Sequence, residues 1–142
     1  MTKPRPSLTL NLLQAREVAM SFFRPSLNEH GLTEQQWRVI RILSQHGELE
    51  INRLADLACI LKPSMTGVLT RMKAAGLIHR RKAAQDQRRV LVTLAEGGLS
   101  CFASMSERME QNYQRIQARL GAEKLQTLLG LLAELKAIKR LP

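Results

Sequence analysis

The hydrophobic positions of the chain recur mainly at helical spacing. Apolar residues spread over more than one face predict a long helix over about residues 8–30, with a kink or break at Pro25. A second helix is predicted over 34–46, because Thr33 and Gln36 have the capping-box spacing at its start. The first third of the chain is therefore predicted to be helical.

Two shorter helices follow, joined by a tight connection. The first is predicted over about 52–59, and the second over 63–75, where Pro63 suits the first helical turn and Gly76 suits the residue after the helix. The spacing predicts that the second helix buries four apolar side chains, namely Met65, Val68, Leu69 and Met72.

The pattern then changes to that of a short hairpin. Strands are predicted over 77–81 and 89–94, with the polar segment 82–88 as the loop between them. The rest of the chain predicts two helices broken at Gly121, and the pair Gly97-Gly98 weakens the start of the first of them.

The order of elements predicts a mainly α fold with a small β-hairpin wing, that is, a winged helix-turn-helix. Residues 34–95 would form the DNA-binding domain, and residues 1–33 and 96–142 would form dimerisation helices, so that the whole is one intertwined functional domain. Both ends carry more apolar surface than a small core can cover, which favours a homodimer.

Composition narrows the class of protein. No apolar run is long enough to span a bilayer, no signal peptide is visible, and the two cysteines make no disulfide framework, so we expect a cytoplasmic protein. Nucleophile-elbow, Walker-loop and zinc motifs are all missing, and the three histidines are scattered. We therefore expect no enzymatic activity, no metal and no cofactor.

The placement of charge changes the picture further. The chain has a formal net charge of +10, and residues 62–94 carry eight basic residues against one acidic residue, Asp86. Such a concentration predicts a polyanionic partner, although a solvated face of a basic protein would show the same count.

Candidate DNA contacts come from the helix 63–75 and the hairpin. Short hydroxyls and a glycine permit close approach to base edges, Arg71 can fork onto guanine or phosphate, and Arg88 or Arg89 could enter a minor groove. Asp86 would shape the wing turn or pair with Arg88. The predicted contacts are Lys62, Pro63, Ser64, Thr66, Gly67, Thr70, Arg71, Lys73, Arg81, Lys82, Asp86, Arg88 and Arg89.

These residues also carry a family resemblance. The segment DQRRVLVTLAEGG resembles the wing signature of the MarR family, and INRLADLACILKPSMTGVLTRMKAAGLIHRR resembles its helix-turn-helix and first wing strand. The segments LLQAREVAMSFFRP, LTEQQWRVIRIL and ACILKPSMTGVLTRM look like the repressors of homoprotocatechuate (4-hydroxyphenylacetate) degradation operons. The chain departs from the wing signature at Val92-Thr93-Leu94-Ala95, where the usual Leu-Thr order is altered.

The resemblance implies a homodimer that binds a palindromic double-stranded operator, represses an aromatic-catabolism operon and releases DNA when a phenolic acid binds. The effector would be a small aromatic carboxylate such as 4-hydroxyphenylacetate or 3,4-dihydroxyphenylacetate, held between the dimerisation helices and the DNA-binding lobe. Such a ligand needs a cation and apolar walls. The implied candidates are Arg16, Met20, Phe23, Trp37, Arg38, Arg41 and Cys59.

Other interpretations stay open at this point. Trp37 could equally be a core residue, and the arginines could be surface or interface charges. The protein could instead be an oxidant-sensing repressor that acts through Cys59. It could also be a nucleic-acid-binding protein that responds to no effector.

Overall fold

The computed structural model describes residues 3–142, which form seven helices and three strands. The helices are α1 (Leu8–Ser21), α2 (Arg24–Glu29), α3 (Glu34–His46), α4 (Ile51–Ala58), α5 (Lys62–Ala74), α6 (Glu96–Leu120) and α7 (Ala122–Lys136). The strands are β1 (Leu49–Glu50), β2 (Ile78–Lys82) and β3 (Val90–Leu94). Along residues 3–142, no helix is long and apolar enough to cross a membrane.

The N-terminal apolar stretch forms two helices instead of one. The helix α1 ends at Ser21 and α2 begins at Arg24, so the break precedes Pro25. A proline lacks the N–H that a helix interior needs, and it fits where that N–H has no partner, in the first turn of a new helix. Of the two alternatives for Pro25, kink or break, the structure has the break.

The start of α3 confirms the predicted capping box. The backbone N–H of Gln36 donates to Thr33 Oγ1 at 3.1 Å, and the backbone N–H of Thr33 donates to Gln36 Oε1 at 3.2 Å. These reciprocal bonds satisfy two donors that the first turn of a helix leaves without partners.

The three strands form one antiparallel sheet in the order β1-β3-β2. In β2 and β3, Arg81 pairs with Leu91, which pairs in turn with Glu50 of β1. The sequence predicted only the hairpin, because a strand of two residues directly before a helix has no periodicity to reveal it. The hairpin is thus anchored to the segment that opens α4.

The chain divides into two units, which we describe separately. The winged unit comprises residues 24–107, and the terminal unit comprises residues 3–23 and 108–142, so α6 contributes to both. The winged unit contains a well-packed core. Its fully buried apolar side chains include Ile40, Leu54, Leu69, Met72, Ile78, Val92 and Met105. All four side chains predicted to form the inner stripe of α5 are buried, which confirms that prediction.

The terminal unit has little core of its own. Its buried residues are Met109, Asn112 and Leu125, whereas both α1 and α7 expose large apolar side chains. The exposed set includes Leu8, Leu10, Leu13, Val18, Leu128, Leu129, Leu131 and Leu135. The last helix also stops at Lys136, earlier than its apolar pattern predicted.

The start of α6 corrects the interpretation of Gly97-Gly98. The helix begins at Glu96, so both glycines lie inside its first turn. A Cβ on Gly98 would lie 2.2 Å from the carbonyl oxygen of Leu77, and one on Gly97 would lie 2.5 Å from that of Gly76. These glycines therefore allow α6 to pack against the backbone that ends α5.

Candidate DNA interface

The helix α5 presents one apolar and one polar face. Leu61 precedes it in an extended conformation, and Pro63 occupies its first turn, as predicted. Its outward residues Ser64, Thr66 and Thr70 are exposed, while Gly67 is half-buried. The hydroxyl of Thr70 donates to the carbonyl oxygen of Thr66 at 2.8 Å.

The cations of α5 are not neutralised within the chain. Among residues 3–142, no carboxylate forms an ion pair with Lys62, Arg71 or Lys73. The guanidinium of Arg71 lies along the helix beside Gly67, 3.5 Å from the position that a Cβ there would occupy. The polar face of α5 is therefore positively charged, and the residues next to Arg71 on this face have short side chains.

The connection between α4 and α5 ends α4 in a left-handed conformation at Cys59, with φ 54° and ψ 44°. The N–H of Ile60 donates to the Ala55 carbonyl at 3.0 Å, as in a Schellman motif. Arg38 from α3 reinforces this turn, because its Nη1 donates to the Ala58 carbonyl at 2.6 Å. The structure thus places Arg38, a predicted effector contact, at the turn of the helix-turn-helix.

The tip of the wing is a turn organised by Asp86. Its Oδ1 accepts the backbone N–H of Arg88 at 3.0 Å and lies 3.5 Å from Arg88 Nε, and its carbonyl accepts the N–H of Arg89 at 3.0 Å. Both predicted roles of Asp86, shaping the turn and pairing with Arg88, are confirmed. The side chain of Arg88 is 96% exposed, so its guanidinium projects from a fixed backbone.

The other wing arginines have acidic partners that the sequence analysis missed. Arg81 forms a two-pronged pair with Glu48, at 2.7 and 3.1 Å, and Arg89 contacts Glu50 Oε2 at 3.0 and 3.1 Å. The partners are 33 and 39 residues apart in the chain, and the signal that could have found them was the acidic pair flanking Leu49.

The predicted effector residues divide between the two units. In the terminal unit, Arg16 forms an ion pair with Glu17 at 3.5 Å, and Met20 and Phe23 are half-buried. In the winged unit, Cys59 and Arg41 are exposed.

Trp37 is only 7% exposed and stacks on Phe102, with ring centroids 6.0 Å apart and planes inclined by 16°. Trp37 therefore packs as a core residue, and the sequence analysis missed its aromatic partner. No ion pair with a carboxylate engages Arg41 among the described residues.

Comparison with known proteins identifies this arrangement. The profile of the MarR family matches residues 32–90, which include α3, the helix-turn-helix and the wing up to the start of β3. The chain is also 47% identical to the homoprotocatechuate degradative operon repressor of Escherichia coli, over 93% of this chain and 89% of that protein. The chain belongs to the MarR family.

Two solved structures extend the similarity to nearly the whole chain. The transcriptional regulator PA4135 superposes with a TM-score of 0.94 at 69% identity, over 96% of this chain and 100% of that one. NadR in complex with 4-hydroxyphenylacetate superposes with a TM-score of 0.86 at 44% identity, over 98% of this chain and 99% of that one. PA4135 is thus a transcriptional regulator, and the relative from Escherichia coli is an operon repressor.

The left-handed residue in this MarR helix-turn-helix leads to a stability prediction. Both α2 and α5 end with the same pair of backbone bonds around a glycine, Gly31 or Gly76, where α4 has Cys59. A non-glycine residue in this conformation is strained, so we expect Cys59→Gly to raise the free energy of unfolding by about 0.5–1 kcal/mol, measured by urea denaturation. A less stable Cys59→Gly protein would contradict this assignment.

Cys101 provides the matched control. It lies inside α6, where a glycine costs about 1 kcal/mol, so Cys101→Gly should lower stability. Burial raises the pKa of the Cys101 thiol, which keeps it protonated and unreactive. The Cys59→Gly protein also tests the oxidant-sensing alternative, which requires peroxide to release DNA from the wild type and not from this variant.

Proposed function

We propose that the protein is a ligand-responsive transcriptional repressor of an aromatic-acid catabolic operon. It acts in the cytoplasm as a homodimer on a palindromic double-stranded operator. A small phenolic acid, such as 4-hydroxyphenylacetate or 3,4-dihydroxyphenylacetate, releases it from DNA. Among relatives similar over nearly the whole chain, one is a homoprotocatechuate operon repressor and another binds 4-hydroxyphenylacetate.

The observation that carries DNA binding is the charge of α5. Its polar face has three basic side chains without an acidic partner among the described residues, next to short hydroxyls that let the backbone approach base edges. Lys62 and Pro63 open the helix, where a cation and free backbone N–H groups suit a phosphate. Ser64, Thr66 and Arg71 are then the base-reading candidates.

The exposed apolar side chains of the terminal unit support the homodimer. Most of them lie on α1 and α7, two of the helices predicted to form the dimer, and extended apolar surface is uncommon on a monomeric protein. A two-fold dimer presents two α5 helices, and these must lie about one DNA turn apart to occupy both halves of a palindrome.

Effector binding is proposed to use Arg41 as the carboxylate partner in the winged unit. Arg41 is exposed, lacks an acidic partner among residues 3–142, and lies one helical turn from Trp37 on α3. An arginine can accept a carboxylate through two parallel hydrogen bonds. An effector that prefers one arrangement of the dimer shifts the population towards it, by no more than its difference in affinity for the two arrangements.

The test combines gel shifts with thermal shifts. Wild-type protein should bind duplexes from its own promoter region better than random DNA, and 4-hydroxyphenylacetate should weaken that complex and raise the melting temperature. In Arg41→Ala protein, operator binding should persist, while the effector concentration for half-release rises about tenfold or more, because a charged hydrogen bond is lost.

Two controls separate the parts of this proposal. Arg41→Lys should raise the effector concentration for half-release by an intermediate amount, since lysine keeps the charge but cannot form two parallel hydrogen bonds to a carboxylate. Arg140→Ala should leave that concentration unchanged, since it removes an exposed cation outside α3. If wild-type protein binds its promoter DNA no better than random duplexes, the repressor function is wrong. If Arg41→Ala responds like wild type, only the effector contact is wrong.

A further inference from the structure

The outer face of the small sheet carries a charge pattern that DNA binding alone does not explain. Arg81, Leu91 and Glu50 lie in one row across the three strands, so their side chains share a face. Arg89 and Glu48 join this face through their contacts, which gives two arginine–glutamate pairs beside Leu91. Two of the eight cations of residues 62–94 are therefore neutralised by acids that lie outside that segment.

These pairs are poorly placed to stabilise the fold. The arginine side chains are 58% and 52% exposed, and ion pairs at such positions contribute little to stability. Acids on a DNA-binding wing also repel phosphates and occupy the arginines that would otherwise contact them. The pairs lower the general attraction for DNA, so a different advantage has to explain them.

Their position in the fold indicates that advantage. Glu50 is the N-cap residue directly before α4, and its side chain makes no capping bond there; its carboxylate contacts Arg89 of the wing instead. Besides these ion pairs, a two-residue ladder between β1 and β3 links β1 to the hairpin. The two pairs thus link the wing to Glu48 and Glu50, in the segment that leads directly into α4.

We propose that Glu48 and Glu50 are positioning residues for operator recognition. They hold Arg81 and Arg89, and so set the angle of the wing relative to α4 and the α5 that follows it. With the wing held at this angle, Arg88 enters a DNA groove only when α5 contacts the operator bases. The inference rests on the proposed function, and it assigns to Arg81 and Arg89 the task of orienting the wing instead of contacting bases.

The experiment measures operator and random-duplex affinities of Glu48→Gln, Glu50→Gln and the double variant over a range of salt concentrations. Each single variant should lower the ratio of operator to random affinity by about threefold, and the double variant by more, because the wing is less well oriented. The freed arginines should contact phosphates, so the salt slope for random DNA should become steeper by up to about 0.9 for each one. A purely electrostatic effect would raise both affinities alike and leave the ratio unchanged.

Two control variants make the outcome decisive. Glu107→Gln removes the same charge from an exposed position on α6 and should change neither quantity. Glu48→Gln combined with Arg81→Lys should lower the ratio no further than either change alone, since both act through one pair. If wild type has no operator preference, the repressor function fails. If it has one and the glutamine variants keep the wild-type ratio, whatever their salt slope, the positioning role is wrong.

Discussion

Replacing Gly98 with alanine will destabilise the winged unit by about 2–4 kcal/mol, the range expected when a buried contact is overpacked against backbone. The new Cβ would lie 2.2 Å from the carbonyl oxygen of Leu77 and 2.9 Å from Leu94 Cδ2. That carbonyl already accepts the N–H of Ala95 at 2.9 Å, and the N–H of Leu77 donates to Met72 at the end of α5. Relief of the clash therefore has to move either the start of α6 or the backbone at the end of α5.

A loss of stability in Gly98→Ala would indicate this close packing, because alanine otherwise stabilises a helix by up to about 1 kcal/mol relative to glycine. Thermal unfolding of Gly98→Ala should show a melting temperature lower by roughly 10 °C, with weaker operator binding. Ser100→Ala, an exposed position two residues further along α6, is the matched control and should melt within a few degrees of wild type. A Gly98→Ala protein as stable as wild type would mean that α6 does not pack this closely on Leu77.

The parts of the fold that the sequence predicted well are those set by neighbouring residues. A capping box is a contact between Thr33 and Gln36, and the buried stripe of α5 repeats at the period of a single helix. Asp86 acts on the N–H groups of its own turn. Such features depend on local geometry, so residue types at a fixed spacing are enough to predict them.

The parts that could not be predicted depend on contacts between distant segments. The close approach of α6 to the carbonyl oxygens of Gly76 and Leu77 leaves little room for a Cβ at Gly97 or Gly98, although from the sequence alone both are simply poor helix formers. Likewise, counting charge by segment assigns Arg81 to the DNA interface, whereas its carboxylate partner Glu48 lies 33 residues away. A charge count along the chain cannot detect neutralisation across a sheet.

The same pairs leave Arg88 as a wing cation that no glutamate engages among the described residues. Because Arg81 and Arg89 are engaged by glutamates, Arg88 is the wing arginine with a nearly fully exposed guanidinium. Its 3.5 Å contact with Asp86 is exposed to solvent and costs little to break, while the backbone bond from its N–H keeps the turn in place. Arg88 can therefore bind DNA without rearrangement of the wing.

We expect Arg88→Ala to weaken operator and random duplexes alike, by about tenfold, with little change in stability. One phosphate-neutralising contact is lost, so the slope of log affinity against log salt should fall by about 0.9. Fluorescence anisotropy at four or more salt concentrations measures both quantities. Arg140→Ala, which removes a charge from the exposed C-terminal segment, should change neither.

We expect Thr66→Ala to give the opposite pattern to Arg88→Ala. Thr66 is exposed on α5, and its hydroxyl forms no hydrogen bond with any of the described residues. The hydroxyl of Thr70, in contrast, already donates a hydrogen bond to the carbonyl oxygen of Thr66. Loss of a base contact should lower operator affinity and leave the random-duplex affinity and the salt slope unchanged. If Arg88→Ala instead lowers only operator affinity at an unchanged slope, the wing reads sequence, and the division between a base-reading α5 and a charge-contacting wing is wrong.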